Sequence, residues 1–310
     1  MSFFFGVVVP YAALITFFAG LVYRVVKWAR APVPFRIPTT CGQQKSLPWI
    51  KASKFDNPSS TAGVVGRIAL EALLFRSLFR NTRAEKVSWQ GGPKLAYRWE
   101  KWLWLAALSF HWSFLIIFLR HLRFFTAPVP SLIRLIDGVD GFLRVGAQGL
   151  FITDVLILVA VTYLFLRRVV LPQVRYISLP SDYFPPLLIL SLALSGVLMR
   201  YFFRVDVTAV KELAMGLVTF HPKVPEGIGV LFYIHLFLVG SLFACFPFSK
   251  LVHMAGIFLT PTRNLPNDSR ANRHIDPWDY PVKIHPYEMY EQEFGKKMAE
   301  AGLPVEKRWM

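Results

Sequence analysis

Residues 102–119 read WLWLAALSFHWSFLIIFL: eighteen positions without a formal charge, bounded by Lys101 and Arg120, with His111 in the middle and His121 just beyond the end. A bilayer core takes roughly 20 mostly apolar residues in a helix, so this stretch reads as a membrane span that carries an imidazole. Four more stretches meet or approach that length: Phe3 to Tyr23, Val145 to Leu166 with one acid (Asp154), Tyr183 to Met199, and Gly227 to Ser249. The expected fold is an all-α integral membrane bundle of five helices. The first stretch lacks a basic start and a small-residue cleavage site, so it reads as a retained helix.

The composition agrees with this picture. Of 310 residues 54% are apolar and 17% charged, against about 25% charged in soluble domains. A soluble protein so poor in charge could not cover its own surface. The net charge of +16 taken alone would suit a nucleic-acid binder. Most of the basic residues flank the apolar runs, however, where they meet the headgroups of membrane lipids and set orientation. Nucleic acid is therefore not an expected partner. Only Cys41 and Cys245 occur, with no metal-ligand or CxxCH spacing. That argues against a disulfide scaffold, a zinc ribbon, an iron–sulfur cluster or a covalent c-type haem within this chain.

Counting Lys and Arg in alternating segments gives 27 on one side and 8 on the other. The positive-inside rule then puts the N-terminus outside and the C-terminus in the cytoplasm. The expected division is a first transmembrane helix (1–28), a cytoplasmic loop (29–100), four helices (101–258) and a cytoplasmic tail (259–310). Within the loop, the charge-punctuated stretch Thr61 to Arg80 reads as one interfacial amphipathic helix. The tail is rich in Pro, Asn, Asp and Arg up to Tyr290 and weakly helical after it. With no core of its own, it is expected to rest on another subunit.

Four of the seven histidines lie in or at the end of two spans: His111 and His121 in the second, His235 and His253 in the fifth. Ionisable residues at membrane depth are costly and point to function. On a continuous helix His235 and His253, 18 apart, share one face about 27 Å apart along the axis. His111 and His121, 10 apart, are separated by about 15 Å and rotated by roughly 80°. Three crossings lie between the two helices, so they run antiparallel. His111 then faces His253 on the cytoplasmic side, and His121 faces His235 on the outer side. Two imidazole pairs at two depths are what two non-covalent bis-histidine b haems require, about 20 Å apart along the normal. A tetrahedral zinc site needs ligands that converge on one point, which histidines three to five turns apart do not provide.

The second and last helices, with histidines ten and eighteen apart, resemble the respiratory nitrate reductase gamma subunit family of dihaem, quinol-oxidising cytochromes b. More specific stretches resemble the DsrM family, the membrane cytochrome b subunits of the Dsr complex of dissimilatory sulfur metabolism. These are VVKWARAPVPFRIPTTCGQQKSLPWIK (25–51), FHWSFLIIFLRHLRFF (110–125), VRYISLPSDYFP (174–185), VKELAMGLVTFHPKVPEGIG (210–229) and FPFSKLVHMAGIFLTPTRNLPN (246–267). The resemblance implies two b haems, menaquinone as redox partner, and a cytoplasmic iron–sulfur subunit resembling the heterodisulfide reductase catalytic subunit. It also implies a triheme cytochrome c, an iron–sulfur protein and a second membrane subunit in a respiratory complex of the cytoplasmic membrane. By position His111 and His253 match the family's cytoplasmic-side ligand pair, and His121 and His235 its outer pair. The quinone-site lysine of the nitrate reductase subunit has no clear counterpart, so the resemblance does not place a quinone site.

Quinol oxidation releases protons as well as electrons, which calls for a nearby acceptor. Asp154, the only acid inside an expected span, is the candidate; pairing with an arginine is its other reading. Arg120, Arg123, Arg200 and Arg204 gather at outer helix ends, as counter-charges for haem propionates or as snorkelling interfacial cations. Lys211 and His221 belong to the outer loop between the last two helices, where they border a quinone or are simply solvated. Cys41 reads as a reduced thiol on the cytoplasmic side, and His274 and His285 carry no metal. The residues thus describe an electron-transfer subunit between menaquinol and a cytoplasmic iron–sulfur partner. Two other readings stand beside it: a haem-free membrane anchor, which an absorption spectrum separates, and a transporter with histidine relays, which an uptake assay separates.

Overall fold

The structure is a computed structural model, and it describes residues 1–31, 53–89, 92–145, 148–267 and 283–306. Cys41 and His274 lie outside the described residues. A π-turn at Phe4–Val8 leads into α1 (Val9–Ala29), and the chain returns as α2 (Thr61–Leu74) and the short α3 (Arg76–Phe79). A hairpin of β1 (Thr82–Trp89) and β2 (Gly92–Trp99) precedes α4 (Lys101–His121). Next come α5 (Ser131–Asp140), a small hairpin of β3 (Leu143–Val145) and β4 (Gln148–Leu150), α6 (Ile152–Val170) and the short α7 (Pro172–Tyr176). The remainder is α8 (Pro180–Val197), α9 (Val207–Val218), α10 (Val230–Cys245), α11 (His253–Leu259), α12 (Pro261–Asn264) and α13 (Tyr287–Glu300).

Among the described residues four helical stretches are long and apolar enough to cross a membrane: Phe4–Ala29, Lys101–Phe124, Pro180–Phe202 and Val230–Phe248. The chain is a multi-pass helical membrane protein. The expected third span begins later than its sequence suggested. Residues 143–145 and 148–150 pair as an antiparallel hairpin, and the helix starts at Ile152 and runs on through Arg167 and Arg168 to Val170. Gly146 and Gly149 explain the shift, since glycine inside a helix costs about 1 kcal/mol relative to alanine. At 1.5 Å per residue the 19 residues of α6 still reach about 28 Å. Asp154, Arg167 and Arg168 put three charges within its 19 residues, where Lys101–Phe124 spreads three over 24.

The expected fifth span is also interrupted. The regular helix stops at Cys245, a 3₁₀ turn covers Phe246–Phe248, and Ser249 is fully extended (φ −108°, ψ 175°). A second 3₁₀ turn, Lys250–Val252, is capped by the Ser249 hydroxyl, which accepts from the Leu251 amide at 3.2 Å, and α11 restarts at His253. Pro247 is the cause: it has no N–H to donate and its ring clashes with the carbonyl four residues back. The five-turn arithmetic for His235 and His253 therefore does not apply, because seven intervening residues are not α-helical.

Close packing runs in series from α4 to α6, α6 to α8, α8 to α10 and α10 to α1. Val161, Leu188, Ile189 and Leu242 form the buried centre, with Phe110 and Phe114 of α4 packed against it. Gly20 lets α1 approach the break after α10: a Cβ there would lie 2.7 Å from the Cβ of Pro247, well inside contact distance. A second cluster, Ala209, Leu213 and Ile228, seats α9 against Phe232 and Tyr233 of α10.

The polar loop departs most from its sequence reading. The expected single helix from Thr61 to Arg80 is two helices, broken where Phe75 takes a left-handed conformation (φ 51°). The β1–β2 hairpin that follows, with Thr82 paired to Trp99 and Trp89 to Gly92, was read only as loop. The start of the tail packs on this chain: Arg67 of α2 donates to the carbonyls of Arg263 (2.6 Å) and Leu265 (3.1 Å), and the Asn267 amide donates to the Pro58 carbonyl at 2.7 Å.

Asp56 ties this loop together. Its carboxylate faces Arg76 and Arg80 and accepts from the Ser53 hydroxyl at 3.0 Å. The hydrogen bond from Arg76 is the main cause that holds its pKa at about 2, below the ordinary 3.8. A depressed carboxylate pKa adds stability that is complete above the unfolded value and is lost as pH falls through the folded one. Proteolysis of the 53–80 segment is thus expected to be slow and flat down to about pH 4 and to accelerate toward pH 2. Asp56→Asn should remove that pH dependence and cost about 1–2 kcal/mol locally, allowing for solvent screening.

Candidate functional site: two histidine pairs between α4 and α10–α11

The helices with the histidines, α4 and α10–α11, meet through imidazoles. His111 of α4 and His253 at the start of α11 have ring centroids 6.0 Å apart with planes at 83°. His121 at the end of α4 and His235 of α10 have centroids 6.4 Å apart with planes at 13°. These are the pairs that antiparallel helices imply. The break after Cys245 keeps the alignment even though it spoils the simple turn count.

Each imidazole is held through Nδ1. His111 donates to the Ala107 carbonyl (2.8 Å), His121 to the Ile117 carbonyl (2.7 Å) and His253 to the Lys250 carbonyl (2.8 Å). A carbonyl can only accept, so the proton sits on Nδ1 and Nε2 keeps its lone pair. The fourth, His235, lies 2.8 Å from the Ser195 hydroxyl of α8, which itself donates to the Leu192 carbonyl at 2.8 Å. The hydroxyl proton is thus used, and its oxygen accepts from His235 Nδ1. All four rings present a bare Nε2, the state in which an imidazole binds a metal.

The spacing fits an iron held between two rings. A metal–imidazole bond is about 2.0 Å, and a ring nitrogen lies about 1 Å from its centroid, so two imidazoles on opposite sides of one metal have centroids about 6 Å apart. No group of three or more His, Cys, Asp or Glu converges among the described residues, so the histidines do not make a zinc-type site. His121 and His253 are exposed residues, and His111 and His235 are half-buried. Beside His111 and His253 the chain forms a cleft of about 1140 Å³, lined also by Trp28, Phe75, Lys250 and Arg263. Phe75 packs edge-on against His111 at 4.8 Å. Lys250 and Arg263 bring cations to its mouth, paired with Asp182 (2.6 Å) and Glu71 (3.0 Å).

The other end is built on a buried ionic cluster. Arg120, 7% exposed, pairs with Asp140 and with Asp154 (3.3 Å), and donates to the Thr153 hydroxyl (3.1 Å). Its guanidinium lies 3.4 Å from the centre of the Phe151 ring, and that of Arg200 lies 3.7 Å from the same ring. Asp154 also accepts from the Tyr201 hydroxyl at 2.9 Å. Arg123 pairs with Asp137 at 3.2 Å. Asp154 therefore sits in an arginine pair, and the Arg120 donors are engaged by carboxylates. His221 donates to the Thr219 carbonyl at 2.8 Å and Lys211 lies on α9. His285 lies 3.5 Å from Glu293.

Sequence reasoning missed Ser195, Gly196, Asp140 and Tyr201. A Cβ on Gly196 would lie 3.4 Å from Cε1 of His235, so α8 offers this ring a hydroxyl and a notch side by side. The available signal was a Ser-Gly pair inside an apolar span.

Residues 63–267 match the nitrate reductase gamma subunit family. The chain is 44% identical over 284 residues to the Hdr-like menaquinol oxidoreductase cytochrome b-like subunit of Archaeoglobus fulgidus, covering 89% of this chain and 83% of the relative. It is 43% identical over 277 residues to the protein of the same description from Archaeoglobus profundus, covering 87% and 81%.

Proposed function

This chain belongs to the nitrate reductase gamma subunit family, and from that premise we propose that it is the dihaem cytochrome b subunit of a menaquinol-linked respiratory complex, of the DsrM type. In this reading it passes electrons between menaquinol and a cytoplasmic iron–sulfur subunit resembling heterodisulfide reductase. A triheme cytochrome c, a further iron–sulfur protein and a second membrane subunit complete the complex. The α6 helix joins the four apolar stretches as a fifth span in the cytoplasmic membrane, with the N-terminus outside. The division into a first helix (1–28), a loop (29–100), a haem domain (101–258) and a tail (259–310) belongs to the same proposal. The names of the two relatives support the menaquinol link and the Hdr-like partner.

The observation that carries the proposal is the pair of imidazole couples at 6.0 and 6.4 Å, every Nδ1 engaged and every Nε2 bare. When bound there, a b haem supplies one-electron redox chemistry at each depth. The protein's part is to fix the ligand rings, exclude water and place counter-charges. His111 and His253 hold the proposed cytoplasmic-side group, His121 and His235 the outer one. Arg200, stacked on Phe151, is the candidate cation for a propionate at the outer end. The contacts of Asp154 support its pairing with Arg120 more than a role as the proton acceptor, because both of its oxygens already accept, one from Arg120 at 3.3 Å and the other from the Tyr201 hydroxyl at 2.9 Å.

The test is anaerobic addition of a reduced naphthoquinol to the purified complex, followed by absorbance in the b-type α-band region. The proposal expects the band to rise. Haem that stays oxidised would overturn the quinol link, and a chemically reduced sample with no α-band would leave the haem-free membrane anchor.

A further inference from the structure

Three of the four candidate ligands are oriented by carbonyls of their own chain turn, three or four residues back. His235 alone is oriented across helices, by the Ser195 hydroxyl with the Leu192 carbonyl close behind it. The Ser195 hydroxyl of α8 stands between the imidazole of α10 and the Leu192 carbonyl, 2.8 Å from each. Ser195 is 5% exposed, so water does not reach this link freely. Gly196 beside it lies against the same ring: a Cβ there would touch Cε1 at 3.4 Å, ordinary van der Waals contact.

We propose that Ser195 is a positioning residue that sets the tautomer and basicity of His235, and through them the redox potential of the outer haem alone. The inference rests on the haem reading above and deepens it. An acceptor on Nδ1–H increases the electron density that Nε2 offers to a metal, which favours ferric over ferrous iron. At the other three histidines the acceptor is a backbone carbonyl that no substitution removes. At His235 it is a hydroxyl whose oxygen accepts only because its own proton is committed to Leu192. Without the hydroxyl the Nδ1–H loses its close 2.8 Å acceptor and is left with the Leu192 carbonyl behind it, the ligand becomes a poorer donor, and the ferric state loses its advantage. The chain thus makes one haem adjustable from a helix that contributes no ligand.

The experiment is potentiometric titration of wild type, Ser195→Ala and Ser195→Thr, each with its haem-to-protein ratio. His111→Ala and His235→Ala serve as references for which haem is which. Ser195→Ala is expected to keep two haems and to lose about tenfold of the ferric preference at one of them, an upward move of about 59 mV for a one-electron couple. The haem that moves is the one missing from His235→Ala, while the other stays at its wild-type potential. Ser195→Thr, which restores a hydroxyl, is expected to return the potential to wild type. Loss of the outer haem alone in Ser195→Ala supports the same assignment. Unchanged potentials with both haems present, equal movement of both, or failure of Ser195→Thr to recover would overturn it. A wild-type protein without haem would instead overturn the reading on which the inference rests.

Discussion

His235→Ala protein is expected to hold one haem where the wild type holds two, and His121→Ala protein is expected to lose the same one. His111→Ala and His253→Ala should both lose the other. The argument is geometric. The ring centroids of each pair are about 6 Å apart, so on the proposed reading both rings of a pair would hold the same iron. Alanine removes one of only two protein bonds to the group. Loss of a hydrogen bond behind a ligand already costs 10–100-fold in metal affinity, and loss of the ligand itself should exceed that. Pyridine haemochromogen counts on the four variants, with reduced-minus-oxidised spectra, read the result. Two distinct residual spectra are expected, each shared by both variants of one pair. If His111→Ala and His235→Ala lost the same haem, the pairing would be wrong.

Arg120→Met is expected to be the most damaging substitution outside the histidines, costing about 3–5 kcal/mol of stability. Arg120 and Asp140 are almost fully buried, and Asp154 and Thr153 share the same guanidinium. Removing that cation leaves Asp140 and Asp154 buried without the guanidinium they share, and the second carboxylate makes the loss worse. Stacking on Phe151 at 3.4 Å adds about 1 kcal/mol that a methionine does not replace. Arg120→Lys should recover little, because an ammonium cannot fork between two carboxylates. The midpoint of thermal unfolding in detergent measures this. Arg120→Met combined with Asp140→Leu should recover part of the loss. A single Arg120→Met variant as stable as wild type would mean the cluster is solvated.

The sequence made the spans and the histidine partners legible, for physical reasons that differ. Long apolar runs such as 102–119 have one stable home, a helix in lipid, so their existence follows from composition. Partner choice follows from direction: two antiparallel helices put the early histidine of one beside the late histidine of the other. Boundaries were less legible, because they depend on single residues. Pro247 ends α10 inside a run that reads as uninterrupted, and Gly146 and Gly149 delay α6 to Ile152. The β1–β2 hairpin was hidden because its strands alternate weakly and mix Arg, Lys and Glu with Val, Tyr and Trp, although Gly92, at φ 103°, opens its second strand. Within the site, residues that act through another were invisible. Ser195 is one polar atom in an apolar helix, and nothing in its neighbours says that it meets an imidazole 40 positions later. The partners of Arg120 were half legible: Asp154 was a candidate arginine partner, but Asp140 and Tyr201 lie outside the stretches read as spans.

The central claim is that two imidazole pairs at two depths each bind one porphyrin. The most direct measurement is the haem-to-protein ratio of the purified wild-type chain, by haemochromogen assay against amino-acid analysis. The account predicts two b haems per chain, released by acid–acetone because they are not covalently attached. One haem or none per chain, in protein purified from cells supplied with haem, would contradict it.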